Sequence, residues 1–112
     1  MDARTVQRLL EKLQALAESA EHLGAKSVEG MQREPRLSDD AKRRLTPLYR
    51  EHALRLMLLY SQLGSAICDT VRDEAENNTA RGILDLFHGN FAAMAERARE
   101  KLRREFGDNP KL

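Results

Sequence analysis

The segment LMLLYSQLGSAIC, residues 56–68, carries no charged side chain, although 33% of the 112 residues in this chain are charged. A helix that crosses a bilayer needs about 20 apolar residues, so this run is too short to span a membrane. It also contains the polar or small residues Ser61, Gln62, Gly64 and Ser65. These features favour a helix that is buried on most of its sides within a helical protein.

The composition agrees with a helical protein. Leu, Ala, Glu, Arg and Lys dominate the sequence, and all five residue types are strong helix formers. Aromatic residues make up only 4% and there is no Trp, so a sheet has little to be built from. The length and the 41% of hydrophobic residues fit one packed domain. We therefore predict a single all-α domain over residues 1–112.

The first predicted helix covers residues 4–33. Its apolar residues are spaced 3, 4, 3, 4 and 3, which is the a/d seam of a coiled coil. Gly24 and Gly30 weaken the second half, so the sequence leaves open whether this helix is continuous. The predicted seam consists of Val6, Leu9, Leu13, Leu16, Ala20 and Leu23.

The second predicted helix covers residues 46–76 and follows a loop at 34–45. Thr46 is suited to be its N-cap, with Pro47 at the first helical position, where the missing N–H costs nothing. The alternative start is Ser38, with a kink at Pro47. We favour Thr46, preceded by one or two turns of helix.

The third predicted helix covers residues 79–106, with Thr79 as its cap. Each helix is about 30 residues, or roughly 45 Å long at 1.5 Å per residue, and the connections are short. We therefore predict an antiparallel up-down-up bundle of three long helices. The apolar stripe of the third helix has a mean spacing of about 3.7 and consists of Ala80, Leu84, Phe87, Phe91, Met94, Ala98, Leu102 and Phe106.

The second helix has two apolar faces, and the two neighbouring helices cannot easily cover both. We assign the broader face to the core. The narrower face, at spacings of 4, 3 and 4, is the predicted interface with a partner protein, because exposed apolar patches mark interaction sites. That interface consists of Leu54, Leu58, Ser61 and Ser65. The predicted core seam consists of Leu45, Leu48, Tyr49, His52, Leu56, Leu59, Leu63, Ala66, Ile67 and Thr70.

These patterns predict a non-enzymatic protein–protein interaction or scaffold module. It is expected to self-associate or to be a subunit of a larger assembly. A homodimer that forms a six-helix assembly is the simplest arrangement, because two-fold dimers are the commonest oligomers.

An uneven charge distribution gives an alternative function. Residues 33–55 contain seven basic and four acidic side chains, and residues 97–104 contain five basic and one acidic. The up-down-up order places both segments at one end of the bundle, where they could bind the phosphates of RNA or DNA. The net charge of +1 gives no overall signature of such binding. The predicted basic patch consists of Lys42, Arg43, Arg44, Arg97, Arg99, Arg103 and Arg104.

The residues that usually carry chemistry do not assemble into a predicted active site. His22, His52 and His88 fall at three separate heights of the bundle, so we expect no metal and no cofactor. Cys68 falls level with His88 but is expected to be a buried structural thiol. A lone cysteine and a charged N-terminal segment without the apolar core of a signal peptide predict a cytoplasmic protein.

The segment RGILDLFH, residues 81–88, resembles the R-x4–6-H motif of HEPN-type helical ribonucleases. The resemblance implies an Arg81 that binds the RNA phosphate and a His88 that acts as acid or base, with two copies brought together in a dimer. Gly82 stands where that family usually has a polar residue. The structural alternative is a solvated Arg81 and a half-buried His88 beside the Phe87 and Phe91 stripe.

Overall fold

The computed structural model describes residues 3–107, which form three helices. They are α1 (Ala3–Gln32), α2 (Asp39–Arg72) and α3 (Asn78–Phe106), and the same range contains no strand. The predicted all-α class with three long helices is confirmed.

The first helix runs without a break through Gly24. This glycine is buried, and a Cβ atom added to it would overlap the Cβ of Ala53 on α2. A glycine inside a helix costs up to about 1 kcal/mol relative to alanine. The close approach of α1 to α2 that it permits offsets this cost, so α1 continues beyond the point where the sequence suggested a break.

The second helix begins earlier than predicted. Its N-cap is Ser38, whose hydroxyl accepts a hydrogen bond from the backbone N–H of Ala41 at 3.1 Å. Asp39 and Asp40 occupy the first turn, where carboxylates interact favourably with the helix dipole. The preference for Thr46 as the cap was therefore wrong, and the residues from 39 onward belong to the helix rather than to a loop.

Pro47 lies inside α2, where it cannot donate a backbone hydrogen bond. It is exposed on the surface. The preceding Thr46 ties this part of α2 to its surroundings, because its Oγ1 donates to the carbonyl of Lys42 and accepts from Nε2 of Gln32, both at 2.8 Å. The bond from Gln32 joins the first part of α2 to the end of α1, and the bond to Lys42 lies within α2.

The third helix is capped at both ends. Asn77, rather than the predicted Thr79, is its N-cap, and its side chain accepts from the N–H of Ala80 at 2.8 Å. At the other end Gly107 has a φ of 94°, a conformation that favours glycine, and its N–H donates to the carbonyl of Arg103 at 2.9 Å.

The middle helix packs along both neighbours, whereas α1 and α3 meet at only a few places. The bundle is accordingly flattened, with dimensions of 58 × 28 × 16 Å. Gly24 of α1 lies against Ala53, and a Cβ added at Gly64 would lie 2.5 Å from the ring of Phe91 on α3. Small residues thus mark both contact lines of α2.

The buried face of α1 is rotated relative to the predicted seam. Leu9, Leu16 and Leu23 were assigned to the core and are exposed. The buried stripe contains smaller residues, which let the two backbones approach each other. It consists of Val6, Leu10, Leu13, Ala17, Ala20, Gly24 and Met31.

The two apolar faces of α2 are exchanged relative to the prediction. The face assigned to a partner is the core, and much of the face assigned to the core is exposed. Ser61 is fully buried, and its hydroxyl keeps a hydrogen-bond partner because it donates to the carbonyl of Met57 at 2.7 Å. The buried residues of α2 are Ala53, Leu54, Met57, Leu58, Ser61, Gly64, Cys68 and Val71.

The prediction for α3 is confirmed at the centre of its stripe. Leu84, Phe91, Met94, Ala98 and Leu102 are buried, and Ala95 joins them. The rings of Phe87 and Phe91 stack with their centroids 6.4 Å apart.

Candidate interaction surface

The exposed side of α2 carries an uninterrupted apolar seam. Leu56, Leu59 and Leu63 are all exposed, and with His52 and Ala66 they are spaced 4, 3, 4 and 3. This is the spacing by which one helix receives another in a coiled coil. The seam lies mostly within the uncharged segment 56–68, so no charged residue interrupts its central part.

A second row of exposed leucines lies on α1. Leu9, Leu16 and Leu23 are exposed and are seven residues apart. Residues at this spacing return to nearly the same angle, with a drift of about 20° per heptad. The three leucines therefore form a straight row along most of α1.

The row on α1 points away from α3. Gln14 and Glu21 mark the side of α1 that faces α3, since Gln14 accepts a 3.4 Å hydrogen bond from Asn90 and Glu21 pairs with Lys101. Leu16 follows Gln14 by two residues, which turns it about 160° around the helix.

The seam on α2 also points away from α3. Arg72, which pairs with Asp85, marks the side that faces α3, and Ala53, beside Gly24, marks the side that faces α1. Leu59 is about 140° from Arg72 around the helix, and Leu56 is only about 60° from Ala53. Both sets of leucines thus line the groove between α1 and α2 on the side that α3 does not cover. We call this surface the outer face, and it consists of Leu9, Leu16, Leu23, Leu48, Tyr49, Leu56, Leu59 and Leu63, all exposed.

The predicted partner interface cannot serve that role. Leu54 and Leu58 are 3% and 2% exposed, and Ser61 is 0% exposed, so all three belong to the core of the chain itself. Ser65 is only half-buried. The prediction identified two apolar faces on α2 correctly but assigned them to the wrong sides.

The residues of the predicted basic patch are dispersed and largely paired within their own helices. Arg43 and Arg44 both contact Asp40, at 3.5 and 3.2 Å, and Lys42 donates to the carbonyl of Gln32 at 2.9 Å. On α3, Arg99 pairs with Glu96 and Arg104 with Glu100, at 3.8 and 3.4 Å. Arg97 and Arg103 are exposed. Nucleic-acid binding by this patch stays a prediction.

Arg97 and Arg104 lie on one side of α3, and Arg99 and Arg103 lie about 100° to 160° around the helix. The four arginines of α3 therefore point in two directions.

Cys68 and His88 lie together, as their predicted heights implied. Both line a small cleft between α2 and α3 of about 240 Å³, with Asp69, Arg72 and Asp85. His88 Nε2 is 3.2 Å from the Asp69 carboxylate. Hydrogen bonds from Arg72 lower the pKa of Asp85.

Burial, with smaller contributions from Asp69 and Asp85, raises the pKa of the Cys68 thiol to about 11. The thiol therefore keeps its proton at neutral pH, and a protonated thiol is a weak nucleophile. This matches the structural role predicted for it.

The two residues of the ribonuclease-like motif differ in their surroundings. Arg81 is exposed at the end of the first turn of α3, whereas His88 is half-buried and lies beside Asp69. This is the arrangement given by the structural alternative.

Residues 3–107 contain no group of three or more His, Cys, Asp or Glu side chains placed to hold a metal ion. None of the three described helices is long and apolar enough to cross a membrane.

Comparisons with protein-family models, with curated proteins and with solved structures gave no match. The outer face is therefore interpreted from its own chemistry.

The sequence does contain a signal for the outer face. The true core stripes of α1 and α2 combine large residues with Ala17, Ala20, Gly24, Ser61 and Gly64. The outer face carries leucines at the same helical spacing but no such small residues at its centre. Stripes in which large residues alternate with Ala, Gly or Ser therefore indicate the core, and stripes of leucine without such small residues indicate the outer face.

Proposed function

We propose that this protein is a non-enzymatic helical interaction module that binds another protein through the outer face. The observation that carries the proposal is a pair of leucine rows, one on α1 and one on α2, that lie along one groove. The leucines of both rows are exposed, so no other part of residues 3–107 covers this groove. Exposed apolar patches of this extent are uncommon on monomeric proteins and mark interaction sites.

The spacing of the seam favours a helix as the partner element. Leu56, Leu59 and Leu63 offer alternating gaps of three and four residues, into which the side chains of a facing helix can insert. The third helix packs mainly along α2 and leaves this side of α1 and α2 exposed. A helix bound there would bury the leucines of the outer face.

The proposal includes an up-down-up order in which neighbouring helices run antiparallel. Four contacts support this order. Gln32 and Gly24 of α1 lie beside Thr46 and Ala53 of α2, and Arg72 and Gly64 of α2 lie beside Asp85 and Phe91 of α3. In each pair of helices, the residue numbers rise on one helix as they fall on the other. The cytoplasmic location expected from the lone Cys68 stays a prediction.

A photo-crosslinking residue placed at position 59 tests the proposal in the cell that makes the protein. We expect irradiation to give a defined covalent adduct with a protein. The matched control is the same residue at position 86, because Leu86 is equally exposed but lies on α3, away from the outer face. Equal labelling from both positions, or none from position 59, would rule the proposal out.

A further inference from the structure

We infer that the partner on the outer face is a second copy of this chain, with the two α2 helices paired antiparallel about a two-fold axis near Leu59. This inference rests on the proposed function and names the occupant of the same surface. It is carried by the symmetry of the seam and by the charges at the two ends of α2.

The seam of α2 is symmetric about its own centre. Turning one α2 end for end about Leu59 brings Leu56 level with residue 62, beside Leu63, and His52 level with Ala66. Large side chains then meet large ones at the centre, and Ala66 leaves room for the imidazole of His52. The exposed leucines of the seam thus face each other when the same surface is used twice.

The ends of α2 differ in net charge, which favours this antiparallel pairing. Residues 39–44 carry three basic and two acidic side chains, a net charge of +1, whereas residues 69–76 carry four acidic side chains and Arg72, a net charge of −3.

Because 44 and 74 are equally far from Leu59, the pairing brings Arg44 of one copy level with Asp73 and Glu74 of the other. Arg44 and Asp73 also lie on the same flank of the helix, because their separation of 29 residues brings Asp73 back to within about 20° of Arg44. In an antiparallel pair of helices, like flanks meet. A parallel pairing would instead set basic ends together and acidic ends together.

The outer face is large enough for a dimer that dissociates on dilution. Gly24 lies beside Ala53 and Gln32 beside Thr46, so the row from Leu9 to Leu23 overlaps the seam of α2 for about 18 Å at 1.5 Å per residue. Two helices at a spacing of about 10 Å, with their side chains, make a face about 20 to 25 Å wide, so this apolar area is about 400 Å². Interfaces of standard size bury roughly 800 Å² on each partner, and the charged ends of α2 extend the contact beyond the leucines.

The test measures the solution mass of the full chain and of variants in which the charges at positions 44 and 73 are reversed singly and together. The variants are Arg44→Asp, Asp73→Arg and the double variant. Both single variants should still form α2. Asp73→Arg places a basic residue at the end of the helix, where it favours the helix dipole, and Arg44→Asp replaces an exposed local pair with Asp40 by two like charges, an effect much smaller than the stability of a packed helix. Mass is measured by light scattering across a concentration series, at low and moderate salt.

We expect the unchanged chain to reach twice its 12.8 kDa mass as its concentration rises. Each single variant should need a concentration about tenfold higher to form the dimer. The double variant should recover the original affinity. Arg44 also contacts Asp40 at 3.2 Å, and recovery in the double variant separates the contact between copies from that local pair.

A single-chain mass at every concentration would overturn the inference, and so would a dimer whose affinity the charge exchange does not restore. The proposed function fails separately. If the mass is that of one chain and position 59 still crosslinks to a different protein, the second copy is excluded and the interaction module stands.

Discussion

Leu58 and Leu59 are consecutive in the chain and lie on opposite sides of the bundle. The side chain of Leu58 is 2% exposed in the core, and that of Leu59 is 58% exposed on the outer face. Two consecutive leucines thus have different roles, one in the core and one on the surface. Substitutions at the two positions should therefore have opposite patterns of effect.

Truncation of Leu58 should destabilise the folded chain, and truncation of Leu59 should not. We expect Leu58→Ala to lower the free energy of unfolding by about 2 to 5 kcal/mol, because it removes a fully packed side chain. Leu59→Ala should change the stability of the isolated fold by at most about 0.5 kcal/mol. Urea denaturation followed by circular dichroism, at concentrations where the chain is monomeric, measures both. Equal losses at the two positions would contradict the assignment of the faces.

The close contact between Gly64 and Phe91 should make position 64 intolerant of any side chain. A Cβ there would lie 2.5 Å from the ring, so Gly64→Ala should destabilise the fold by about 1 to 3 kcal/mol through overpacking. Gly89, in α3, has no atom within 4 Å of such a Cβ. Gly89→Ala should therefore stabilise the helix by up to about 1 kcal/mol. Thermal melts of both variants give the comparison, and a stabilised Gly64→Ala protein would show that α2 and α3 are less closely packed.

The start of α2 can be tested through its cap. Ser38→Ala removes the hydroxyl that accepts from Ala41 and should cost about 1 kcal/mol of stability. Ser27→Ala is the control, because Ser27 is exposed inside α1, where alanine favours the helix. If Ser38→Ala leaves the unfolding midpoint unchanged, α2 does not depend on this cap.

The buried thiol should make stability fall at alkaline pH. Burial raises the pKa of Cys68 from 9.0 to about 11, so above about pH 9 the unfolded chain loses this proton while the folded chain keeps it. The contribution of the thiol to stability is complete below about pH 9 and is lost as the pH rises to about 11. The difference in unfolding free energy between the wild type and Cys68→Ala isolates it, since other groups titrate in both proteins. A difference that is constant from pH 8 to pH 11 would show that the thiol is not desolvated.

Much of the fold follows from the sequence, because helix-forming residues and apolar periodicity act locally. The number of helices and the core stripe of α3 were predicted correctly, since Leu84, Phe91 and Leu102 have no competing stripe. The start of α2 was missed because Pro47 is a strong stop signal in isolation. The helix nevertheless continues through it, joined to α1 by the bond between Thr46 and Gln32.

The candidate site was harder to predict because α2 has two faces of similar apolarity. Which face is buried depends on how closely the neighbours approach, and this is decided by contacts such as Gly24 with Ala53. Periodicity within one helix does not report such a contact. The uncharged segment 56–68 was correctly expected to be apolar on most sides, but one of those sides is the outer face rather than the core.

The most direct test of the outer face is the solution mass of Leu59→Glu, measured by light scattering beside the unchanged chain. Gln62→Glu is the matched control, because it adds the same charge at an exposed position of α2 beside the seam. The predicted result is that Leu59→Glu keeps its helical circular dichroism and has the mass of one chain, while Gln62→Glu remains associated. If Leu59→Glu remains associated like the unchanged chain, or loses its helical structure, the outer face is not an interaction surface separate from the core.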